Sequence, residues 1–284
     1  MAEWIAIDLQ PGRAEAWWLD GAEVRARAGI AAPLTPPDAT GAAPLVTALR
    51  GTLAAPARLP ALIDGLRLPP PVAVPAKPAT LRPYRLEGLQ AEALPPLMQS
   101  KPATGLMTGA AARLAGFFAL NPRWDGVVVL PGPVTHWVQV SAEEVVSFQG
   151  ALSGTLARAL MQGETFAPSE LWDETEFFDA LDTTLSRPER LASGLAALQA
   201  AVALGQVAPD RAPARLSGLL VGAELAAARP YWLGQQIAVM GSPAEARPYV
   251  AALGRQGVPC LQADPARMAL AGFIALRRGK AGAA

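Results

Sequence analysis

Apolar residues near the start of the chain fall into short runs separated by turn dipeptides. Glu3-Trp4-Ile5-Ala6-Ile7-Asp8 leads into Pro11-Gly12, Ala14 to Leu19 follows, and Asp20-Gly21 precedes Ala22 to Ala28. Asp-Gly between two strand-like runs is a strong hairpin signal. Glu23-Val24-Arg25-Ala26-Arg27 alternates polar and apolar side chains, as a half-exposed strand does. The same plan recurs about halfway along. Gly126 to Leu130 runs into Pro131-Gly132, then Val134 to Val140, a Ser141-Ala142-Glu143 turn, and Glu144 to Phe148. An internal repeat on this scale implies two related α/β domains in tandem. The expected bounds are 1–124 and 125–284, the second with a helical insert at about 151–230.

Elsewhere the pattern predicts helices over Thr108–Leu120, Gly154–Met161, Ser169–Leu181, Pro188–Leu204, Pro213–Ala228, Pro243–Gln256 and Pro265–Arg278. Short strands are predicted at Ala61–Ile63, Ile237–Met240 and Val258–Leu261. The strand, helix, strand, helix order at the end indicates parallel pairing. Between residues 31 and 102, Pro33, Pro36, Pro37, Pro69, Pro70, Pro71, Pro75 and Pro78 argue against long helices. The most apolar stretch, Leu191 to Ala208, is interrupted by Ser193, Gln199 and Gln206, and reads as an Ala-rich helix rather than a membrane span.

Composition narrows the classes. The 284 residues include 24 basic and 24 acidic side chains, a formal net charge of zero, with 51% hydrophobic and 17% charged residues. So much apolar surface argues against disorder, and the lack of positive charge argues against nucleic acid as a partner. A single cysteine, Cys260, excludes a disulfide framework. The N-terminus carries two acids within its first eight residues and does not resemble a signal peptide. The expectation is a soluble, cytoplasmic protein with no membrane partner.

Several residues invite chemistry. Glycine-containing hairpin turns present backbone N–H groups to phosphates. Met240-Gly241-Ser242-Pro243 reads either as a phosphate-receiving helix start or as an ordinary cap with Ser242 at N-cap and Pro243 at N1. Asp8, ending the first strand, suits a Mg²⁺ or phosphate contact, or simply a strand-end turn. His136, the one histidine, has no neighbouring Cys, Asp or Glu to form a metal site. Lys77, Arg82 and Arg85 form a small basic cluster that suits a sugar-acid carboxylate or a solvated loop. At Gly222, glycine permits close approach of a ligand, strand or helix.

Ile5-Ala6-Ile7-Asp8, Leu130-Pro131-Gly132 with Trp137-Val138, Leu216 to Glu224, and Met268 to Ala275 together resemble the 2-dehydro-3-deoxygalactonokinases. That family belongs to the actin-like, sugar-kinase and chaperone ATPase superfamily. The resemblance runs the length of the chain and is most specific at Leu216 to Leu225. It implies two ribonuclease-H-like α/β domains around a cleft, and phosphorylation of 2-dehydro-3-deoxy-D-galactonate by ATP with Mg²⁺. It is compatible with a homodimer. On this reading Asp8 is the catalytic and Mg²⁺-holding candidate. Gly12, Gly132, Thr135, Gly218, Gly222, Gly241 and Ser242 are the nucleotide candidates, and His136, Arg82 and Arg85 the substrate candidates.

The sequence departs from the family where charge is needed. The family's Met-Arg-Gly-Glu-Glu segment reads Met107-Thr108-Gly109-Ala110-Ala111, so its basic residue and both acids are absent at their usual positions. Its Pro-Gly-Thr-His-Ser-Lys-Trp segment reads Pro131-Gly132-Pro133-Val134-Thr135-His136-Trp137, and its Thr-Gly-Glu reads Ser153-Gly154-Thr155. Phosphoryl transfer depends on positioning and charge neutralisation. A second reading is therefore a catalytically degenerate member that binds a metabolite or a protein. Asp64 and Glu87 are the candidate replacements for the missing acids.

Overall fold

The computed structural model describes residues 3–67, 70–162, 166 and 171–282. The chain divides into two compact units, Met1–Asp125 with Val140–Phe148 and Ala263–Ala284, and Gly126–Gln139 with Gln149–Gln262.

The first unit opens with β1 (Glu3–Gln10), β2 (Arg13–Asp20) and β3 (Glu23–Ala31), an antiparallel meander whose turns sit at the Pro-Gly and Asp-Gly pairs. There follow α1 (Ala39–Thr52), β4 (Ala61–Asp64), β5 (Val72–Ala73), a 3₁₀ turn (Pro78–Thr80), β6 (Tyr84–Leu86), β7 (Ala91–Ala93), β8 (Leu97–Gln99), β9 (Gly105–Met107) and α2 (Ala111–Leu120). The six-stranded sheet runs β3-β2-β1-β4-β7-β6, with β1, β4 and β7 mutually parallel. A three-stranded sheet, β5-β8-β9, stands apart. Ile5, Ile7 and Ile63 point from the large sheet into a core closed by Val46 and Leu49 of α1, all at most 1% exposed.

A second sheet repeats the plan with β10 (Gly126–Leu130), β11 (Thr135–Ser141) and β12 (Glu144–Ala151), of which Val140–Phe148 is grouped with the first unit. Next come α3 (Ser153–Met161), α4 (Glu174–Ser186), a 3₁₀ turn (Pro188–Arg190), α5 (Leu191–Ala203), α6 (Ala212–Ala227), α7 (Arg229–Trp232), β13 (Ile237–Met240), α8 (Pro243–Arg255) and β14 (Cys260–Ala263). The strand order is β12-β11-β10-β13-β14, with β10 parallel to β13 as β1 is to β4. The hairpin repeat therefore builds the same strand order twice. The closing helix α9 (Pro265–Gly282) belongs to the first unit. No helix among the described residues is long and apolar enough to cross a membrane.

Three expectations need correction. A 14-residue helix, α1, does lie in the proline-rich region. Pro33, Pro36 and Pro37 all precede its N-cap, Asp38, whose carboxylate accepts from Gly41 N, and only Pro44 falls inside. The prolines thus mark where the helix begins rather than forbidding it. The helix predicted from Ser169 begins instead at Glu174, capped by Asp173; Ser169 itself lies outside the described residues. The last strand is shifted to Cys260–Ala263. Burial pushes the Cys260 thiol up to about 11, which suits an inert thiol.

Gly272 of α9 and Gly116 of α2 let these helices touch backbone to backbone. A Cβ at Gly272 would fall 1.7 Å from the Ala112 carbonyl oxygen. Gly272→Ala is expected to cost more than about 3 kcal/mol in urea denaturation, above the usual overpacking range because backbone must move. Gly279→Ala, on the same helix with nothing within 4 Å, is expected to be neutral or stabilising by up to about 1 kcal/mol.

Candidate active site

At the carboxyl ends of the first unit's parallel strands, Asp8 of β1 and Asp64 of β4 stand directly opposite each other in register. Both are buried, at 5% and 1% exposure. Two buried like charges are costly unless hydrogen bonds and a counter-charge accompany them, and both are present. Gln10 Nε2 donates to Asp8 Oδ1 at 2.6 Å and to the Gly109 carbonyl at 2.9 Å. Arg113 of α2 donates from Nη2 to Gln10 Oε1 at 2.6 Å, and from Nη2 and Nε to the Gly109 carbonyl at 2.8 and 3.1 Å. Ala110 occupies the N-cap of α2 and has no side chain to cap with. Asp64 supplies that bond from the neighbouring strand, its Oδ2 accepting from Ala112 N at 2.7 Å.

Electrostatics follow from this geometry. Burial first, then the adjacent Asp8 charge, push Asp64 up to about 7, against the pull of the Ala112 N–H, Arg113 and the Gly65 N–H. Burial likewise raises Asp8, opposed by Arg113 and the Gln10 amide. The pair can therefore take up or release a proton near neutral pH.

Asp8 is thus drawn into a carboxylate pair with Asp64, an acid that the sequence left unplaced. Glu87 is not brought to this end of the sheet. It precedes β7, whose Ala91 pairs with Ala61 at the opposite end of β4, so it belongs to the far edge of the sheet. Arg113 and Gln10 were missed. The only hint was a lone arginine within the apolar run Ala111–Leu120.

Asp8 Oδ1 accepts from the Gln10 amide and Asp64 Oδ2 from Ala112 N, and Arg113 offsets part of the pair's charge. Mg²⁺ takes oxygen ligands and keeps several waters. Among the described residues no group of three or more His, Cys, Asp or Glu could hold a metal ion.

In the second unit, Gly132 follows β10 and Gly241 follows β13, two adjacent parallel strands. A Cβ on Gly241 would lie 3.3 Å from Pro131 Cγ, so the two turns sit side by side. Gly154, at the start of α3, packs directly against the Gly132 carbonyl. The other nucleotide candidates make contacts of their own. In the first unit, the Gly12 N–H donates to the Pro33 carbonyl at 3.1 Å. The Ser242 hydroxyl and N–H close a capping box with Glu245. Gly218 and Gly222 of α6 receive α4, since a Cβ at either would lie within 2.5 Å of its atoms. The close approach those glycines permit is that of a helix.

Thr135 is fully buried and joins a polar chain. Trp137 Nε1 donates to Glu224 Oε1 at 2.8 Å, and the Tyr249 hydroxyl donates to Glu224 Oε2 at 3.1 Å. Tyr249 has spent its proton on Glu224, so Thr135 donates to it at 2.7 Å. The Ser153 side chain also bonds Glu224. Glu224→Ala would strand several buried donors, and is expected to cost at least about 3 kcal/mol by chemical denaturation. His136 alternates away from this chain, its ring beside Gly150 of β12. Arg82 lines a groove in the first unit, whereas Arg85 faces Glu92 across β6 and β7 and does not.

Residues 48–276 match the 2-keto-3-deoxy-galactonokinase family. The 2-dehydro-3-deoxygalactonokinase of Escherichia coli K12 is 31% identical over 131 residues, 44% of this chain and 43% of that enzyme, so the match spans less than half the relative's length. A Sinorhizobium meliloti protein assigned as a 2-dehydro-3-deoxygalactonokinase has the same fold, with a TM-score of 0.86 at 24% identity over 97% of this chain and 96% of that one. The ADPNP-bound activator of the 2-hydroxyisocaproyl-CoA dehydratase from Clostridium difficile shares it more distantly, with a TM-score of 0.55 at 10% identity over 99% and 97% of the two chains. Each unit carries one copy of the α/β plan of the two-domain actin-like fold, and the chain belongs to the 2-keto-3-deoxy-galactonokinase family.

Proposed function

We propose that the protein is a sugar-acid kinase that transfers the γ-phosphoryl group of ATP to a hydroxyl of 2-keto-3-deoxy-galactonate. The observation that carries this reading is the Asp8–Asp64 pair at the carboxyl ends of β1 and β4, buried and counter-charged by Arg113. Ligands of open α/β sheets bind beyond the carboxyl ends of the strands.

In the proposed step the substrate hydroxyl oxygen attacks the γ-phosphorus. The new O–P bond forms as the bond to the β,γ-bridging oxygen breaks, and ADP leaves. The hydroxyl proton passes to the Asp8–Asp64 pair, which acts as general base. A base near pH 7 suits this task because enough of it is ionised and it still holds a proton well. The paired turns at Gly132 and Gly241 are the places in the second unit for the nucleotide's phosphates, through backbone N–H groups.

The degenerate reading rested on the missing acids at Ala110 and Ala111. Asp64 brings a carboxylate to the same helix start, and Arg113 brings a cation one turn further along, so the lost charge is resupplied from other positions. Nucleotide binding is checked by thermal unfolding. ATP at 100 times its Kd is expected to stabilise the fold by about 2.7 kcal/mol, and a folded protein that ATP leaves unshifted would count against the kinase.

A further inference from the structure

The same sheet edge that carries Asp8 and Asp64 continues across β7 and β6. Ile63, next to Asp64 on β4, is level with Ala93, and Ala93 with Tyr84. Just beyond that edge lies a groove of about 720 Å³, lined among others by Lys77, Thr80, Arg82, Tyr84, Pro95 and Glu144, all within the first unit. That volume is in the range of small-molecule sites.

Its floor is fixed from several sides. Val72 and Val74 N–H groups donate to the Pro96 and Met98 carbonyls at 2.8 and 2.9 Å. Ala76 and Val145 exchange two backbone hydrogen bonds at 3.1 and 2.8 Å. Proline rings at positions 70, 71, 75 and 95 add stiffness to the walls. The Thr80 hydroxyl donates to the Lys77 carbonyl at 3.0 Å, whereas the ionisable groups at the rim are uncommitted. Lys77 and Arg82 form no ion pair with any described residue, and Tyr84 is 42% exposed.

Two unpaired cations, a phenol and one carboxylate around a rigid groove match a ligand with one anionic end and several hydroxyls. We propose that this groove holds the carboxylate end of a six-carbon sugar acid, with Lys77 and Arg82 taking the carboxylate and Tyr84 and Glu144 taking hydroxyls. This inference rests on the kinase reading for the hydroxyl's fate but not for the binding itself.

Calorimetric titration of the full chain with 2-keto-3-deoxy-D-galactonate, in the presence and absence of an ATP analogue, tests it. The acid is expected to bind, and D-galactose, which lacks the carboxylate, at least tenfold more weakly. The Lys77→Ala/Arg82→Ala double variant, altered only at exposed positions, is expected to keep the wild-type Tm and lose at least tenfold in affinity for the acid. Its KM for the acid should rise by a similar factor with kcat nearly unchanged, and Arg85→Ala should behave as wild type. No binding of the acid, equal binding of the neutral sugar, or a double variant with wild-type affinity and KM would each overturn the groove. Binding that depends on Lys77 and Arg82 without ATP turnover would keep the groove and remove the kinase. Turnover with an unaffected KM in the double variant would do the reverse.

Discussion

Asp64→Asn is expected to lower phosphoryl transfer by about 10²–10⁴-fold, the usual effect of losing a general base, while making the protein more stable above neutral pH. The two effects have one cause. Asp64 titrates at about 7 in the fold and near 3.9 when unfolded. Between those values the folded state binds more protons than the unfolded state, so stability falls as pH rises. The stabilisation is complete below about pH 4 and is lost as pH passes through about 7. At about 1.4 kcal/mol per pKa unit, the loss is on the order of 4 kcal/mol. Asparagine keeps a carbonyl oxygen for Ala112 N and offers Asp8 a donor instead of a charge. Urea denaturation at pH 5 and pH 8 should therefore show a much flatter pH dependence for Asp64→Asn than for the wild type. A variant that is less stable than wild type at pH 8 would contradict this account of the pair.

Arg113→Met is expected to act in the opposite direction. Removing the guanidinium leaves two buried carboxylates without their counter-charge, and the Gly109 carbonyl without two of its donors. Breaking a buried charge set in this way typically costs about 3–5 kcal/mol. Because the carboxylates are ionised at high pH, the loss should be larger at pH 8 than at pH 5. Arg113→Lys should recover only part of it, since an ammonium cannot reproduce the planar fork that reaches both Gln10 and Gly109. Combining Arg113→Met with Asp64→Asn should cost less than the sum of the single effects, as expected for groups in one network. Strict additivity in that cycle would show that Arg113 does not act on the pair.

The contrast between what was and was not legible in the sequence follows from the range of the forces involved. The two hairpin meanders were readable because Pro-Gly and Asp-Gly turns and period-two alternation are local signals, and local signals survive folding. The β5-β8-β9 sheet was not readable, since its strands are two or three residues long and lie in proline-rich sequence without alternation. Asp8 could be singled out as a strand-end acid. Its relation to Asp64 depends on the parallel register of β1 and β4, which joins positions 56 residues apart (64 − 8). Arg113 is further from view, because it lies in an apolar helix and nothing in its neighbours announces a charge partner. Gly218 and Gly222 show the converse. Both were singled out in the sequence, but only the packing of α4 reveals that a helix approaches them.

The shortage of charge in this chain therefore does not leave the site without charge. An acid stands at the end of β4, Asp64, and a cation in the first turn of α2, Arg113, where burial strengthens their mutual effect. The claim that these groups serve phosphoryl transfer is tested most directly by ³¹P NMR of the purified protein with Mg-ATP and 2-keto-3-deoxy-D-galactonate. A new phosphomonoester signal that appears with ADP, requires both substrates, rises in rate with pH through about 7 and is lost in Asp64→Asn is the predicted result. A folded, ATP-binding protein that produces no phosphomonoester, or whose rate is unchanged in Asp64→Asn, would contradict it.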